Sequence, residues 1–177
     1  MSTMQVARET GLSRQAVRLV LDSLLAQGAV RALGTPRSRL FAAVDTAPLV
    51  PALKPLFAAE RAHWEGLNAS LRDALAASPD VRSAWLYGSV VRREDTPASD
   101  LDLAVVLSNR RSETSLRDEL EAVGTRFDVH VSLVALTTED IRSRPVRDPW
   151  WAGLERDAQV LKGSSPAQER ARARERG

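Results

Sequence analysis

The stretch that decides the fold is LYGSVVRREDTPASDLDLAVVL, residues 86–107. A short apolar run ends in the turn Gly88-Ser89. A polar excursion follows, and then Asp100 and Asp102 stand two apart at the head of a second apolar run. Aspartate is a poor strand former, and an unpaired buried charge is costly. Residues two apart on a strand share a face. Asp100 and Asp102 therefore point one way, while Leu101 and Leu103 point toward a core. Two carboxylates so close raise each other's pKa. A divalent cation relieves that repulsion, and hard oxygen ligands select magnesium or manganese.

Working outward, RFDVHVSLVAL reads as the next strand and carries Asp128 among apolar neighbours. An adjacent strand would bring Asp128 within about 5 Å of its partner. Three carboxylates, Asp100, Asp102 and Asp128, would then hold two metal ions for an in-line displacement. Gly88 lets a phosphate approach the backbone, and Ser89 opens a helix whose N–H groups suit anions. Arg92 and Arg93 lie one turn onward and can meet phosphate charge. A nucleoside triphosphate with magnesium satisfies both halves of this pattern. His130 shares a side with Asp128 and is read first as a rim residue. Tyr87, Trp150 and Trp151 are read first as packing residues.

The surrounding segments alternate. Residues 58–77 read helical, with Leu67, Leu71 and Leu75 four apart on one face. VRSAWLYG and LDLAVVL read as strands, and Glu113 to Val123 as a helix with Leu116 and Leu120 inside. Thr137 or Thr138 caps a further helix, and DPWWAGLERDAQVLKG reads as a last one, opened by Asp148 and Pro149. Strands separated by helices predict a mixed α/β layer, α+β overall.

Upstream, Gly11 ends a short helix and Ser13 caps a longer one, SRQAVRLVLDSLLAQG. Ala16, Val17, Val20, Leu21, Leu24 and Leu25 form its apolar stripe. AVRAL and RLFAAV flank GTPRS as a hairpin. Helix, turn, helix and hairpin is the order of a winged helix-turn-helix, although the complete unit has one more helix before the first one here. Ser13, Arg14, Gln15 and Arg18 suit a DNA major groove, and Arg37 and Arg39 at the hairpin could reach the DNA backbone or minor groove. The other reading is a packing or dimerisation module whose arginines face water.

The chain has 177 residues and no cysteine, which excludes disulfides and thiolate metal sites. Residues 1–50 carry six arginines against three acids, and residues 51–163 carry fifteen basic groups against eighteen acidic ones. A basic front and an acidic middle fit nucleic acid at the front. No apolar run reaches a membrane span and no secretory leader is visible, so the expected setting is the cytoplasm, without a membrane partner. The expected division is 1–50, a proline-containing joint at 51–57, a second domain at 58–163, and a disordered basic tail at 164–177.

The ordered set of Gly-Ser, D-x-D and strand aspartate resembles the nucleotidyltransferase superfamily that includes DNA polymerase beta, and especially its small bacterial branch. TGLSRQAVRLVLDSLLAQGAV separately resembles winged helix-turn-helix regulators. The first resemblance implies a palm-like domain with a mixed sheet and flanking helices. It assigns Gly88 and Ser89 to phosphate, and Asp100, Asp102 and Asp128 to metal. It implies transfer of a nucleoside monophosphate, often AMP from ATP, to a hydroxyl, and partners that include toxin–antitoxin pairs. One departure is visible: relatives commonly carry glycine where this chain has Arg93, which either crowds the nucleotide or adds a phosphate contact. The expected function is thus a transferase with an unidentified acceptor, a protein among the candidates, and a DNA-binding front that pairs as a homodimer on symmetric sites. The alternative is a transcription regulator whose transferase-like domain senses nucleotide or partner without turnover.

Overall fold

The computed structural model describes residues 1–35, 38–92 and 100–175. The chain forms two compact units, Met1–Ala62 and His63–Gly177.

In the first unit, α1 (Thr3–Thr10) opens with a capping box between Ser2 and Gln5 and stops at Gly11. Ser13 caps α2 (Arg14–Ala26) by accepting a hydrogen bond from the Ala16 amide at 3.2 Å. Strands β1 (Val30–Thr35) and β2 (Ser38–Ala43) pair antiparallel, so the expected helix, helix and hairpin order is present. Of the expected stripe on α2, only Val17 and Leu21 are buried; Val20 is exposed. Helix α3 (Leu49–Ala77) runs through residues 51–57, the expected proline-containing joint. Pro51 falls in the first turn, where a missing N–H costs nothing. Pro55 removes one internal hydrogen bond, a loss that a helix of 29 residues survives. The boundary between the two units falls within α3.

The second unit is built on a four-stranded mixed sheet in the order β5-β4-β3-β6. Strand β3 (Val81–Tyr87) pairs antiparallel with β4 (Leu101–Leu107), and β4 pairs parallel with β5 (Val131–Leu136). Between β3 and β4 lies a single helical turn, α4 (Ser89–Arg92). Helix α5 (Glu113–Phe127) connects β4 to β5. Alternation along β4 sends Leu101, Leu103, Val105 and Leu107 to one face, where Leu67, Leu71 and Leu75 of α3 and Leu116 and Leu120 of α5 cover them. Ala104 and Val106 face the other layer, formed by α6 (Thr138–Ser143), α7 (Pro149–Asp157) and α8 (Pro166–Glu175). Trp85 and Trp151 fill that layer edge to face, with centroids 5.9 Å apart.

Three expectations fail in this unit. Helix α7 stops at Asp157, and residues expected to continue it form β6 (Gln159–Lys162), paired antiparallel with β3. Val160 and Leu161 are strand formers, and the open edge of β3 supplies the ladder. The tail expected to be disordered is α8, held by Glu169, which is fully buried. Glu169 accepts a hydrogen bond from Ser83 Oγ at 2.8 Å and forms an ion pair with Arg82. Arg172 lies 3.5 Å from Glu169 as well, so the buried carboxylate is compensated from two cations. Asp128, expected within β5, lies before it.

Candidate functional site

The site is built where β3 ends and β4 begins. Tyr87 stands opposite Asp102 in the antiparallel register, so the chain turns directly beside that carboxylate. Gly88 has φ +84°, a left-handed conformation that glycine adopts without strain. A Cβ there would sit 2.1 Å from Asp102 Oδ2. The carboxylate therefore occupies the space that a side chain at residue 88 would fill. Ser89 begins α4, and the Arg92 amide donates to the Gly88 carbonyl at 3.4 Å.

Asp102 is half-buried on the α6–α8 face, while Asp100 is exposed just ahead of the strand. Burial pushes the Asp102 carboxyl above its ordinary range, the Asp100 charge adds to that, and Arg92 opposes it. Tyr87 is likewise raised, chiefly by burial. Its ring meets Trp150 edge to face at 5.7 Å, and the Arg144 guanidinium lies 4.4 Å over the Trp150 ring. His130 Nδ1 is 3.2 Å from Asp100 Oδ1. Neither Arg144 nor the His130–Asp100 contact was legible in the sequence. The first is far from the motif in the chain, and the second depends on strand register.

The third carboxylate is not where the sequence put it. Asp128 is the C-terminal cap of α5, at φ 53° and ψ 43°, and its amide donates back to Thr125 at 3.5 Å. Aspartate tolerates this left-handed conformation better than most residues. The cap is a role of the Asp128 backbone, and β5 starts three residues later. Parallel register places Ser132, not Asp128, opposite Asp102. Among the described residues, no group of three or more His, Cys, Asp or Glu is gathered to hold a metal ion. The expected cluster of Asp100, Asp102 and Asp128 is therefore not assembled among the described residues. Ser132 was detectable only as a lone polar residue in an apolar strand.

The donor set fits one cation better than two. Asp100 and Asp102 offer hard oxygens, and magnesium is commonly held by one or two carboxylates together with substrate phosphates. Arg93 and Arg37 lie outside the described residues. Arg92 projects its charge onto both Asp102 and Asp157. In the first unit, Ser13, Arg14, Gln15, Arg18 and Arg39 are all exposed. Arg18 lies 3.9 Å from Asp22, and the Ser13 hydroxyl is spent on its cap.

Comparison with known proteins gives one family match and several similar solved structures. No curated protein matches the chain. Similar solved structures include a toxin–antitoxin with AMP-PNP, at 16% identity and TM-score 0.45, covering 62% of this chain and 85% of that one. A MntA–HepT toxin–antitoxin matches at 16% identity and TM-score 0.40, covering 62% and 83%. A tri-AMPylated Shewanella oneidensis HEPN toxin in complex with MNT antitoxin matches at 18% identity and TM-score 0.38, covering 64% and 85%. Among the described residues, no helix is long and apolar enough to cross a membrane. Residues 69–144, which contain Gly88, Asp100 and Asp102, match the family described as Polymerase beta, Nucleotidyltransferase, and this part of the chain is a nucleotidyltransferase-type domain.

Proposed function

We propose that the second unit transfers a nucleoside monophosphate from a nucleoside triphosphate to a hydroxyl acceptor, with ATP the first donor to test. The observation that supports this reading is the placement of Asp102 directly over Gly88, with Asp100 beside it, inside the matched segment. The Asp102 carboxylate fills the space over Gly88, and Ser89 beside it adds a hydroxyl donor for phosphate. Arg92 supplies positive charge next to the carboxylate pair. Asp100 and Asp102 would hold a magnesium or manganese ion, which would neutralise charge on the triphosphate. The test is incubation of the full chain with alpha-labelled ATP, magnesium and candidate acceptors. Label should pass to an acceptor with the wild type and not with Asp100→Asn or Asp102→Asn. Equal transfer by those two variants would end the reading.

A second reading, nucleotide binding without turnover, is favoured by the same register that places Ser132 opposite Asp102. A site with two carboxylates can grip a magnesium–triphosphate complex while lacking a third oxygen ligand to activate the attacking hydroxyl. The two readings separate with Ser132→Asp. If the missing carboxylate silences the chain, that variant gains transfer while ATP affinity changes little.

For the first unit, the reading is contact with double-stranded DNA through α2 and the hairpin, supported by exposed Arg14, Gln15, Arg18 and Arg39. Pairing of two chains on a symmetric site is part of it. Replacing Arg14 and Arg18 by Ala should weaken duplex binding and reduce its salt dependence, each lost phosphate contact lowering the slope by about 0.9. Duplex affinity unchanged in that variant would favour the packing-module reading.

A further inference from the structure

Among the described residues, strand β5 is an edge strand: in the order β5-β4-β3-β6 only one of its sides is paired. The phase of its hydrogen bonding follows from one contact. The Leu101 amide donates to the His130 carbonyl at 2.8 Å. In a parallel ladder with this register, His130, Ser132, Val134 and Leu136 turn their main-chain groups toward β4. Val131, Leu133 and Ala135 therefore turn their N–H and C=O groups outward. Among the described residues, no other main-chain or side-chain group meets that outward row.

Side chains on the same strand open onto two hollows, one on each face of the sheet. On the α5 face, Val131 and Leu133 line a hollow of about 490 Å³ together with Arg117, Glu121 and His130. On the α6 face, Val134 and Leu136 line one of about 330 Å³ together with Arg110 and Arg144. Successive side chains of an extended segment point to opposite faces. An unpaired main-chain row flanked by hollows on alternate faces is what strand addition requires. The main chain supplies affinity, and the hollows read alternate side chains.

The position of the edge indicates the occupant. Strand β5 begins at the His130 end, where His130 touches Asp100. A segment laid on β5 runs two strand spacings from β4, about 10 Å. About three extended residues cover that distance. A chain leaving the added strand at this end thus delivers a hydroxyl side chain to Asp100 and Asp102. We propose that the β5 edge docks an extended polypeptide segment as an added strand, and that this segment carries the Ser, Thr or Tyr hydroxyl that accepts the nucleotide. The inference rests on the transferase reading for its last step and on the edge geometry alone for the docking.

The probe is a display library of short random peptides, each with one Ser, Thr or Tyr, selected on the full chain with a non-hydrolysable ATP analogue and magnesium. Analogue binding is measured separately by calorimetry. Ala135→Pro removes only an outward N–H, which an edge strand tolerates. It should weaken the selected peptides by about tenfold or more while analogue affinity holds. N-methylation of alternate amides in the peptide should do the same on the wild-type chain, so the result does not depend on how the variant folds. Labelled ATP should then mark the peptide hydroxyl. Selected peptides indifferent to both changes, or no peptides selected while the analogue binds, overturn the inference and leave the transferase reading standing. Self-association that Ala135→Pro abolishes, with no peptide competing for the edge, makes a second copy the occupant and also overturns it. Peptides that bind while the analogue does not overturn the acceptor role together with the transferase reading.

Discussion

Asp102 and Asp128 are the same side chain placed at two corners of one sheet, and they have different work. At the β3–β4 corner, the turn residue is glycine and the carboxylate comes from the facing strand. At the α5–β5 corner, the aspartate is itself the turn residue, in the left-handed conformation that glycine takes at residue 88. At one corner the facing strand's carboxylate fills the space that a side chain would take. At the other, the aspartate's own backbone ends a helix. The difference shows that an acidic residue near a strand is a ligand candidate only once its own backbone role is known.

The sharpest way to break this comparison is a paired substitution. Asp102→Asn should lower nucleotide transfer by about a hundredfold or more, roughly 2.7 kcal/mol of barrier, whereas Asp128→Asn should keep it within about twofold. Single-turnover assays with labelled ATP read both. Comparable losses in the two variants would return Asp128 to the site. Next in size is Gly88→Ala. The new Cβ meets Asp102 Oδ2 and the backbone is left-handed, so unfolding in urea should show a loss of about 1–3 kcal/mol. Nucleotide binding should fall with it. Asp128→Gly should do the opposite, raising stability by up to about 1 kcal/mol as the left-handed strain is relieved. A stability loss there would mean that the carboxylate holds something beyond the cap.

The smallest effect is in the pH dependence of stability. Asp102 is raised above its ordinary range by burial first and by Asp100 second. The folded chain therefore holds that proton more tightly than the unfolded chain. The stabilisation is present below the ordinary carboxylate pKa and is lost as pH rises through the elevated folded value. Relative to wild type, Asp102→Asn should gain stability across that window and level off above it. Urea midpoints at a series of pH values measure the gap. A gap that narrows with rising pH would contradict the desolvation of Asp102.

The two units also differ in how much their sequences disclosed. In the second, Leu67, Leu71 and Leu75, and Leu101 and Leu103, fell where periodicity placed them, because both layers bury regular apolar stripes. The Gly-Ser turn and the D-x-D pair were legible as residues, whereas the approach of Asp102 to Gly88 came from the antiparallel register of β3 and β4. In the first unit the element order was legible, but the stripe on α2 was overestimated. Periodicity reports which side chains share a face and not whether another element covers it. Val20 shares the apolar stripe and remains exposed. The tail misled in the opposite sense. SSPAQERARARERG lacks bulky apolar residues, and α8 is tied down by contacts distant in sequence: Glu169 to Arg82 and Ser83, and Ala173 buried in the core.

The amino-acid order alone determined the alternation of helices and strands as far as α7, the apolar faces of α3, α5 and β4, and the two carboxylates at the head of β4. These follow from local periodicity and from the reach of a short connection. Only the tertiary structure decided that Ser132 and not Asp128 stands opposite Asp102, that His130 touches Asp100, and that β5 has an unpaired side. Each of those depends on where a parallel strand begins relative to its neighbour. That register is set by the length of α5 and by its left-handed cap at Asp128, and no residue near the site records it.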